Sequence, residues 1–492
     1  MFSLISSRVT INTAQAFRRP PVPPSISKYF PSNSIARRSL LTLAIESSCD
    51  DTSVAIVEKD TSHNLPGSSG HSGYAPAKVH FLQKVTADTR KYRGIHPIEA
   101  LQSHQENLAK LVQKALCSLP LNGGSSSMND DVTTPRVWVN NMQSSTRHRL
   151  PDFVSVTRGP GMRSNLSVGL DTAKGLAVAW QIPLVGVHHM QAHLLTPRLV
   201  SALNDTAPDN TPQPDFPFLS ILASGGHSML VHSKSLLDHE ALATTVDIAI
   251  GETLDKSARL ILPESVMESA NTTMYGKLLE QFAFPSGPTD YADYQPLRTR
   301  GEETVKRDNA DWGWSFTTPF ANTKDLKFSF SCVASTVGKI MSDKEKKNVQ
   351  ITEDERIALA RESMRVCFEH LASRTIIALE LLRKRYAFSG GNEQVKTLVV
   401  SGGVAANQFL MKVLRDFLDV RGFEDVQVIA PPPYLCTDNA AMIGWAGIEM
   451  FEAGWSTDLS CKAVRRWTLD PNADDGGILG PDCWIRGENS KS

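Results

Sequence analysis

One supersecondary unit occurs twice in this chain, and the repetition constrains the fold more than any other feature. Leu40–Val57 reads L-L-T-L-A-I-E-S-S-C-D-D-T-S-V-A-I-V, two apolar runs around the polar turn Glu46–Thr52. That is the pattern of a β-hairpin. Phe218–His227, F-L-S-I-L-A-S-G-G-H, continues into S-M-L-V and repeats the plan with a Gly-Gly turn. A chain of 492 residues is too long for a single compact core. Two such openings therefore predict a duplicated α/β architecture with its site between the halves.

Strand, loop and helix then alternate behind each hairpin. Ile95–Leu116 has helical periodicity, with Leu101, Leu108, Val112 and Leu116 on one face. His96 and His104 lie near or on it and read as satisfied polar residues. Phe153–Thr157 predicts a strand, R-G-P-G-M-R-S-N a loop and Leu166–Ala179 a helix of small residues. In the second half, Asp247–Leu262 and Met274–Phe282 predict loops entering helices, and Phe328–Met341 and Thr352–Lys384 predict helices. Lys396–Val400 and Val426–Ile429 predict strands, with a helix from Gln408 between them. Gly67–Tyr74 predicts a mobile insertion and Leu119–Arg149, rich in small polar residues, an insertion or disordered loop, while Ser201–Phe216 predicts an inter-lobe linker. Asp290–Asp325 reads by default as a solvated loop. Its Arg298, Arg300, Lys306, Arg307 and Lys324, interleaved with Trp312 and Trp314, also suit RNA contact. Beyond about Ser456 little pattern remains, which predicts a tail.

Composition narrows the class. A hydrophobic fraction of 41% with 21% charged residues is that of a globular protein. No apolar run approaches bilayer-spanning length, so no membrane insertion is expected. Seven scattered cysteines without C-x-x-C argue for a reducing compartment. The first 40 residues carry Arg8, Arg18, Arg19, Lys28, Arg37 and Arg38, and no acidic residue precedes Glu46. Basic, Ser-rich and acid-free is the composition of a mitochondrial transit peptide, the alternative being a basic arm that binds RNA. Without those six positive charges the formal net charge moves from −1 to −7. A nucleic-acid partner then needs local basic patches.

The chemistry-bearing stretch is Val185–Leu195, V-G-V-H-H-M-Q-A-H-L-L. On a helix His189 and His193 share one face, four residues apart. Two imidazoles at that spacing can hold a divalent cation, but Met190 stands where the glutamate of H-E-x-x-H would be. Two readings stay open for the pair, a metal site or polar surface histidines. The hairpin tip Glu46–Thr52 could present N–H groups and carboxylates to a phosphate and its cation.

Taken together, eight motifs in one order resemble the tRNA threonylcarbamoyladenosine transferase family, once described as sialoglycoproteases. They are I-E-S-S-C-D-D-T, T-R-G-P-G, H-H-M-Q-A-H, L-A-S-G-G-H-S, G-E-T-L-D-K, Y-G-K-L-L-E, S-G-G-V-A-A-N and C-T-D-N-A-A-M-I-G, spanning roughly Leu40–Met450. With the basic presequence, the chain looks like the organellar member. The resemblance implies the actin-like ATPase fold of two ribonuclease-H-like lobes with an interlobe cleft. It divides the chain into a presequence (1–39), a first lobe (40–200, completed by a helix near 438–452), a second lobe (216–437) and a tail (456–492).

The activity it implies is transfer of threonylcarbamoyl from threonylcarbamoyl-AMP to N6 of adenosine 37 in mitochondrial tRNAs that read ANN codons, in the matrix. Expected partners are tRNA, threonylcarbamoyl-AMP and a second subunit in a homodimer. By motif match, His189, His193 and Asp438 become ligands of one divalent ion per subunit (zinc, iron or magnesium). A two-His, one-carboxylate shell leaves positions open for substrate oxygens. The donor is expected along Leu222, Ala223, Ser224, Gly225, Gly226, Asp255, Gly276, Glu280 and Asn407. There, glycines admit phosphate to backbone N–H groups and carboxylates take hydroxyls or amines. Asp50 or Asp51 is the expected general base. Three departures from the family stand out. Cys332 and Ala334 replace Gly and Lys, Y-P-G-G is reduced to Tyr275-Gly276, and Gln191 replaces a glutamate between the histidines, which removes one charge near the expected ion.

Two other function classes compete with this reading. An actin-like small-molecule kinase shares the hairpin-and-cleft plan but has a catalytic acid in place of paired histidines. A non-catalytic adenylate- or tRNA-binding scaffold would not need the intact histidines and Asp438. A protease finds no nucleophile–base pair.

Overall fold

The computed structural model describes residues 39–61, 76–92, 94–121, 136–140, 145–204, 212–269, 274–388 and 394–487. The expected transit peptide (apart from Ser39) and the Gly67–Tyr74 insertion lie outside them, as do parts of the Leu119–Arg149 insertion and of the Ser201–Phe216 linker. Two sheets dominate. In the first, β1 (Ser39–Glu46) and β2 (Asp51–Asp60) form the antiparallel hairpin, with Ile45 opposite Val54. β3 (Ala77–Thr86) adds to β2, also antiparallel. After α1 (Pro97–Leu116) and a small hairpin, β4 (Arg136–Asn140) with β5 (Ser145–Arg149), β6 (Phe153–Gly159) pairs parallel with β1. Then α2 (Arg163–Trp180) leads to β7 (Leu184–His188), parallel to β6, and to α3 (His189–Leu203).

The second sheet repeats this plan. β8 (Phe218–Ala223), β9 (Ser228–Ser233) and β10 (His239–Thr245) form the antiparallel meander. The chain continues through α4 (Ile250–Ile261), α5 (Glu264–Glu268), α6 (Tyr275–Ala283), α7 (Arg300–Glu303), β11 (Arg307–Asn309), β12 (Trp314–Phe316), β13 (Lys327–Phe328), α8 (Ser331–Lys346) and α9 (Glu353–Phe388). β14 (Thr397–Ser401) pairs parallel with β8, and β15 (Gln427–Ile429) follows α10 (Gln408–Val420), parallel to β14. Each sheet thus has the order third-second-first-fourth-fifth with the same strand senses, the ribonuclease-H-like plan.

Strand alternation explains why β1 is apolar on both sides. Leu43 and Ile45 face α1 and α2 with Leu108 and Ala173, each burial contributing roughly 1.5–3 kcal/mol. Ala44 faces the opposite layer, with Leu195 and Trp445. That layer includes α12 (Ala440–Glu452), reached through α11 (Pro433–Cys436). α12 approaches so closely that a Cβ on Gly444 would stand 2.7 Å from Val57 Cγ2.

Four expectations need correction. The segment read as a tail folds back on the first sheet, where β16 (Trp455–Thr457) joins β7 and β17 (Trp484–Arg486) joins β16. Each strand has three residues, too few to show a period, and Trp467 buries its ring by tertiary packing. The Leu119–Arg149 insertion contains the β4–β5 hairpin, tied back by His148 Nδ1 to Leu119 O at 2.7 Å. In the stretch read as a helix from Phe328, that residue ends β13 and the helix starts at Ser331, because Asp247 accepts from the backbone N–H of Phe330 and the hydroxyls of Ser329 and Ser331. In the loop of basic residues, Arg300 pairs with Glu303 and Arg307 with Glu369, and Trp314 is buried. Those two arginines hold the second lobe together and are not free for RNA.

Candidate active site and metal centre

β7 passes into α3 without a loop, and His188 makes this possible. Its ring caps the helix, Nδ1 accepting from the N–H groups of Met190 and Gln191 at 3.1 and 3.3 Å. Nε2 faces Trp467 O at 3.1 Å. Burial drives the His188 pKa down to about 3, so this ring stays neutral and structural.

The next residue begins the site. His189 and His193 project from one face of α3 with ring centroids 4.8 Å apart. Asp438, two residues before α12, closes the group. Its Oδ1 lies 3.1 Å from His193 Nε2 and 3.5 Å from His189 Nε2. Donor atoms around one ion with bonds of about 2.1 Å stand about 3–3.4 Å apart; both separations from Asp438 are close to that, and the three donor atoms all lie within 4.8 Å of one another, a group that could hold a divalent cation. They are also the only such cluster of three or more donors among the described residues.

Behind His189 stands Glu46, wholly buried. Its Oε2 lies 3.2 Å from His189 Nδ1 and accepts from Thr157 Oγ1, while Oε1 accepts from Ser48 N at 2.6 Å. A carboxylate on the far nitrogen of a ligating imidazole fixes tautomer and orientation. Burial would lower the His189 imidazole, but Glu46 and Asp438 outweigh it and hold its pKa well above the ordinary value. Burial would likewise raise Asp438, yet His189 and His193 hold it well below.

The cluster opens into a cleft of about 1030 Å³ between the lobes. Asp50 and Asp51 line it from the β1–β2 tip, and Leu222–Gly226 face them from the tip of β8–β9. The two aspartates differ. Asp51 accepts from Lys84 Nζ at 2.8 Å and from Thr86 Oγ1. Asp50 has no such cation among the described residues, and burial, with Asp51 and Asp438 adding like charge, pushes it up to about 6. Lys84 Nζ also reaches Thr437 Oγ1 at 3.0 Å and Asp438 O at 3.2 Å, tying the third donor to the first sheet.

The opposite wall is built by close backbone approach. A Cβ on Gly251 would stand 2.6 Å from Ser224 O, and one on Gly402, where φ is +92°, 2.4 Å from Ala223 O. Gly225 and Gly226 face open space, leaving their backbone accessible from the cleft. A family model described as tRNA N6-adenosine threonylcarbamoyltransferase matches residues 143–445, more than half of the chain.

The chain belongs to the tRNA N6-adenosine threonylcarbamoyltransferase family. Among its relatives, the mitochondrial tRNA N6-adenosine threonylcarbamoyltransferase of Schizosaccharomyces pombe is 34% identical, the match covering 98% of this chain and 96% of the relative. The tRNA N6-adenosine threonylcarbamoyltransferase of Rhizobium johnstonii is 31% identical over 88% of this chain and 96% of its own. Of solved structures, HypF from T. kodakarensis aligns with a TM-score of 0.40 at 12% identity, over 84% of this chain and 47% of that one. As a threonylcarbamoyltransferase the chain is a transferase that modifies tRNA, and its two lobes are those of the actin-like ATPase fold.

Asp255, Gly276, Glu280 and Asn407 gather farther along the second lobe, outside the lining of the metal-side cleft. Asp255 Oδ1 accepts from Gly276 N at 2.7 Å, and burial pushes this carboxyl up to about 6. Glu280 accepts from Gln408 N at 2.7 Å and is also raised by burial. Asn407 caps α10 through Leu410 N. Gln191 is not beside the metal cluster, because its amide bonds Leu236 O at 2.8 Å and abuts Met450. Sequence reasoning assigned no role to Glu46, Lys84, Arg465 or Arg466, all at or against the cleft. Glu46 stood inside a quoted motif, while the others carry no local signal.

Proposed function

We propose that the chain transfers the threonylcarbamoyl group of threonylcarbamoyl-AMP to N6 of adenosine 37 in mitochondrial tRNAs that read ANN codons. It acts in the mitochondrial matrix as a homodimer, with one divalent ion held by His189, His193 and Asp438. The basic, acid-free presequence and the mitochondrial relative support the compartment. The observation that carries the chemistry is the meeting of two imidazoles and a carboxylate 245 residues farther along, in one cleft. When bound, the ion supplies Lewis acidity toward donor oxygens.

The chain's own residues do the rest. The backbone N–H of Gly225 receives the donor's phosphate, the Gly226 N–H being held by Ser224 Oγ at 3.3 Å, while Asp255 and Glu280 take its hydroxyls. The exocyclic amine attacks the carbamoyl carbon. A C–N bond forms, the C–O bond of the mixed anhydride breaks, and AMP leaves with the electron pair. Asp50 takes the amine proton, since burial and like-charged neighbours push it up to about 6 and it lacks the Lys84 contact that holds Asp51.

Incubating the purified chain with threonylcarbamoyl-AMP and unmodified tRNA, followed by nucleoside mass spectrometry, tests this. Modified adenosine should form, and His189→Ala or Asp438→Ala should lower it by at least 10²-fold with circular dichroism unchanged. Full turnover in both variants would remove the ion from the reaction. No modified nucleoside, together with ATP-dependent phosphorylation of a small hydroxylated acceptor, would point to a kinase.

A further inference from the structure

The cleft's rim carries two cations that the reaction scheme leaves unused. Arg465 and Arg466 belong to the segment between β16 and β17, yet both line the cleft that contains Asp50 and the metal ligands. Their backbone is held firmly. Val464 N donates to Arg158 O at 2.8 Å, and Gly161 N donates to Arg465 O at 3.3 Å. Arg158 in turn donates to Lys462 O and Asp482 O at 3.1 and 2.7 Å. Just beyond, Trp467 Nε1 donates to Gly477 O at 2.8 Å. The close approach is built in, since a Cβ on Gly159 would stand 2.1 Å from Val464 O. Both arginine side chains are nonetheless exposed, and among the described residues neither forms an ion pair. Arg90, also on the cleft, is by contrast neutralised by Asp88 at 2.6 Å.

An anchored backbone presenting two adjacent unpaired guanidiniums suits a phosphate-bearing ligand. We propose that Arg465 and Arg466 grip the phosphodiester backbone of the tRNA and so position the target base over Asp50. This rests on the transferase reading given above. The strand's phosphates are favoured over the donor's phosphate because the arginines flank the 160–162 loop of the first lobe. The glycine turn suited to the donor, Ser224–Gly226, is on the second lobe.

The test measures binding of an unmodified tRNA transcript and of AMP, separately, to the full chain and to the Arg465→Ala/Arg466→Ala double variant between 50 and 300 mM salt. The tRNA affinity should fall about tenfold or more at low salt. The slope of log K against log salt should shrink by about 1.5, two contacts at roughly 0.7–0.9 each. AMP affinity should be unchanged, and the Arg465→Lys/Arg466→Lys variant should recover most of the slope, which a folding defect would not allow. An unchanged tRNA slope overturns the inference while leaving the transferase reading intact. Loss of AMP affinity instead of tRNA affinity assigns the arginines to the donor and also overturns it. Wild-type protein without salt-dependent tRNA affinity overturns both.

Discussion

Glu46→Gln isolates the role of the carboxylate behind His189. The substitution keeps size and shape and retains one oxygen for Ser48 N, now 2.6 Å away. It replaces the oxygen that faces both Thr157 Oγ1 and His189 Nδ1 with an amide that can accept from neither. Thr157 has a second acceptor in Ile45 O at 3.5 Å, whereas the imidazole loses its carboxylate and keeps only Ser48 Oγ, 3.3 Å from Nδ1. Losing such a partner typically costs 10–100-fold in metal affinity, or about 1.4–2.7 kcal/mol. Stability without metal should change less. The lost hydrogen bonds cost about 1–3 kcal/mol, but the variant no longer buries an ionised carboxylate, which offsets that loss. The assay is competition for Zn²⁺ against a chromophoric chelator at pH 7.5, beside urea unfolding of the metal-free protein. A zinc affinity within twofold of wild type would refute the reasoning, as would a loss matched by a collapse of the metal-free fold.

Two more perturbations probe the second-lobe wall. Asp255 has a folded pKa of about 6 against about 3.9 unfolded, so between those values the folded state binds more protons and stability falls as pH rises. Asp255→Asn removes that slope and keeps an acceptor for Gly276 N. The variant should therefore gain little at pH 4 and on the order of 1–2 kcal/mol at pH 7.5, after discounting for partial exposure. A gain equal at both pH values in urea titrations contradicts this. Gly402→Ala places a Cβ 2.4 Å from Ala223 O at φ +92°, and should cost about 1–3 kcal/mol and weaken AMP binding. A urea midpoint and AMP affinity equal to wild type would show that the wall relaxes freely.

What could be read in advance follows from the range of the forces involved. The hairpins were legible because β1, β2, β8 and β9 bury apolar residues in continuous runs. The third strands were not, since β3 exposes Lys78, Gln83, Lys84 and Thr86 and reads as polar chain. Helical spacing placed His189 and His193 on one face, but no periodicity joins them to Asp438 or Glu46. Those came together only through packing of α12 and β1, and Asp438 was found by motif likeness alone. The C-terminal strands fail for the same reason, being held by Trp467 and Thr457 contacts to residues about 270–290 positions earlier. Composition misled once, where buried ion pairs of Arg300 and Arg307 looked like a solvated surface.

Because α12 returns to the first sheet, and Lys84 holds the backbone at Asp438, all three candidate donors are carried by elements that pack on the first sheet. The chain's double crossing also means that the first-lobe segment 40–200 does not by itself carry the complete triad. A truncation ending before Asp438 would keep both imidazoles and lack their carboxylate.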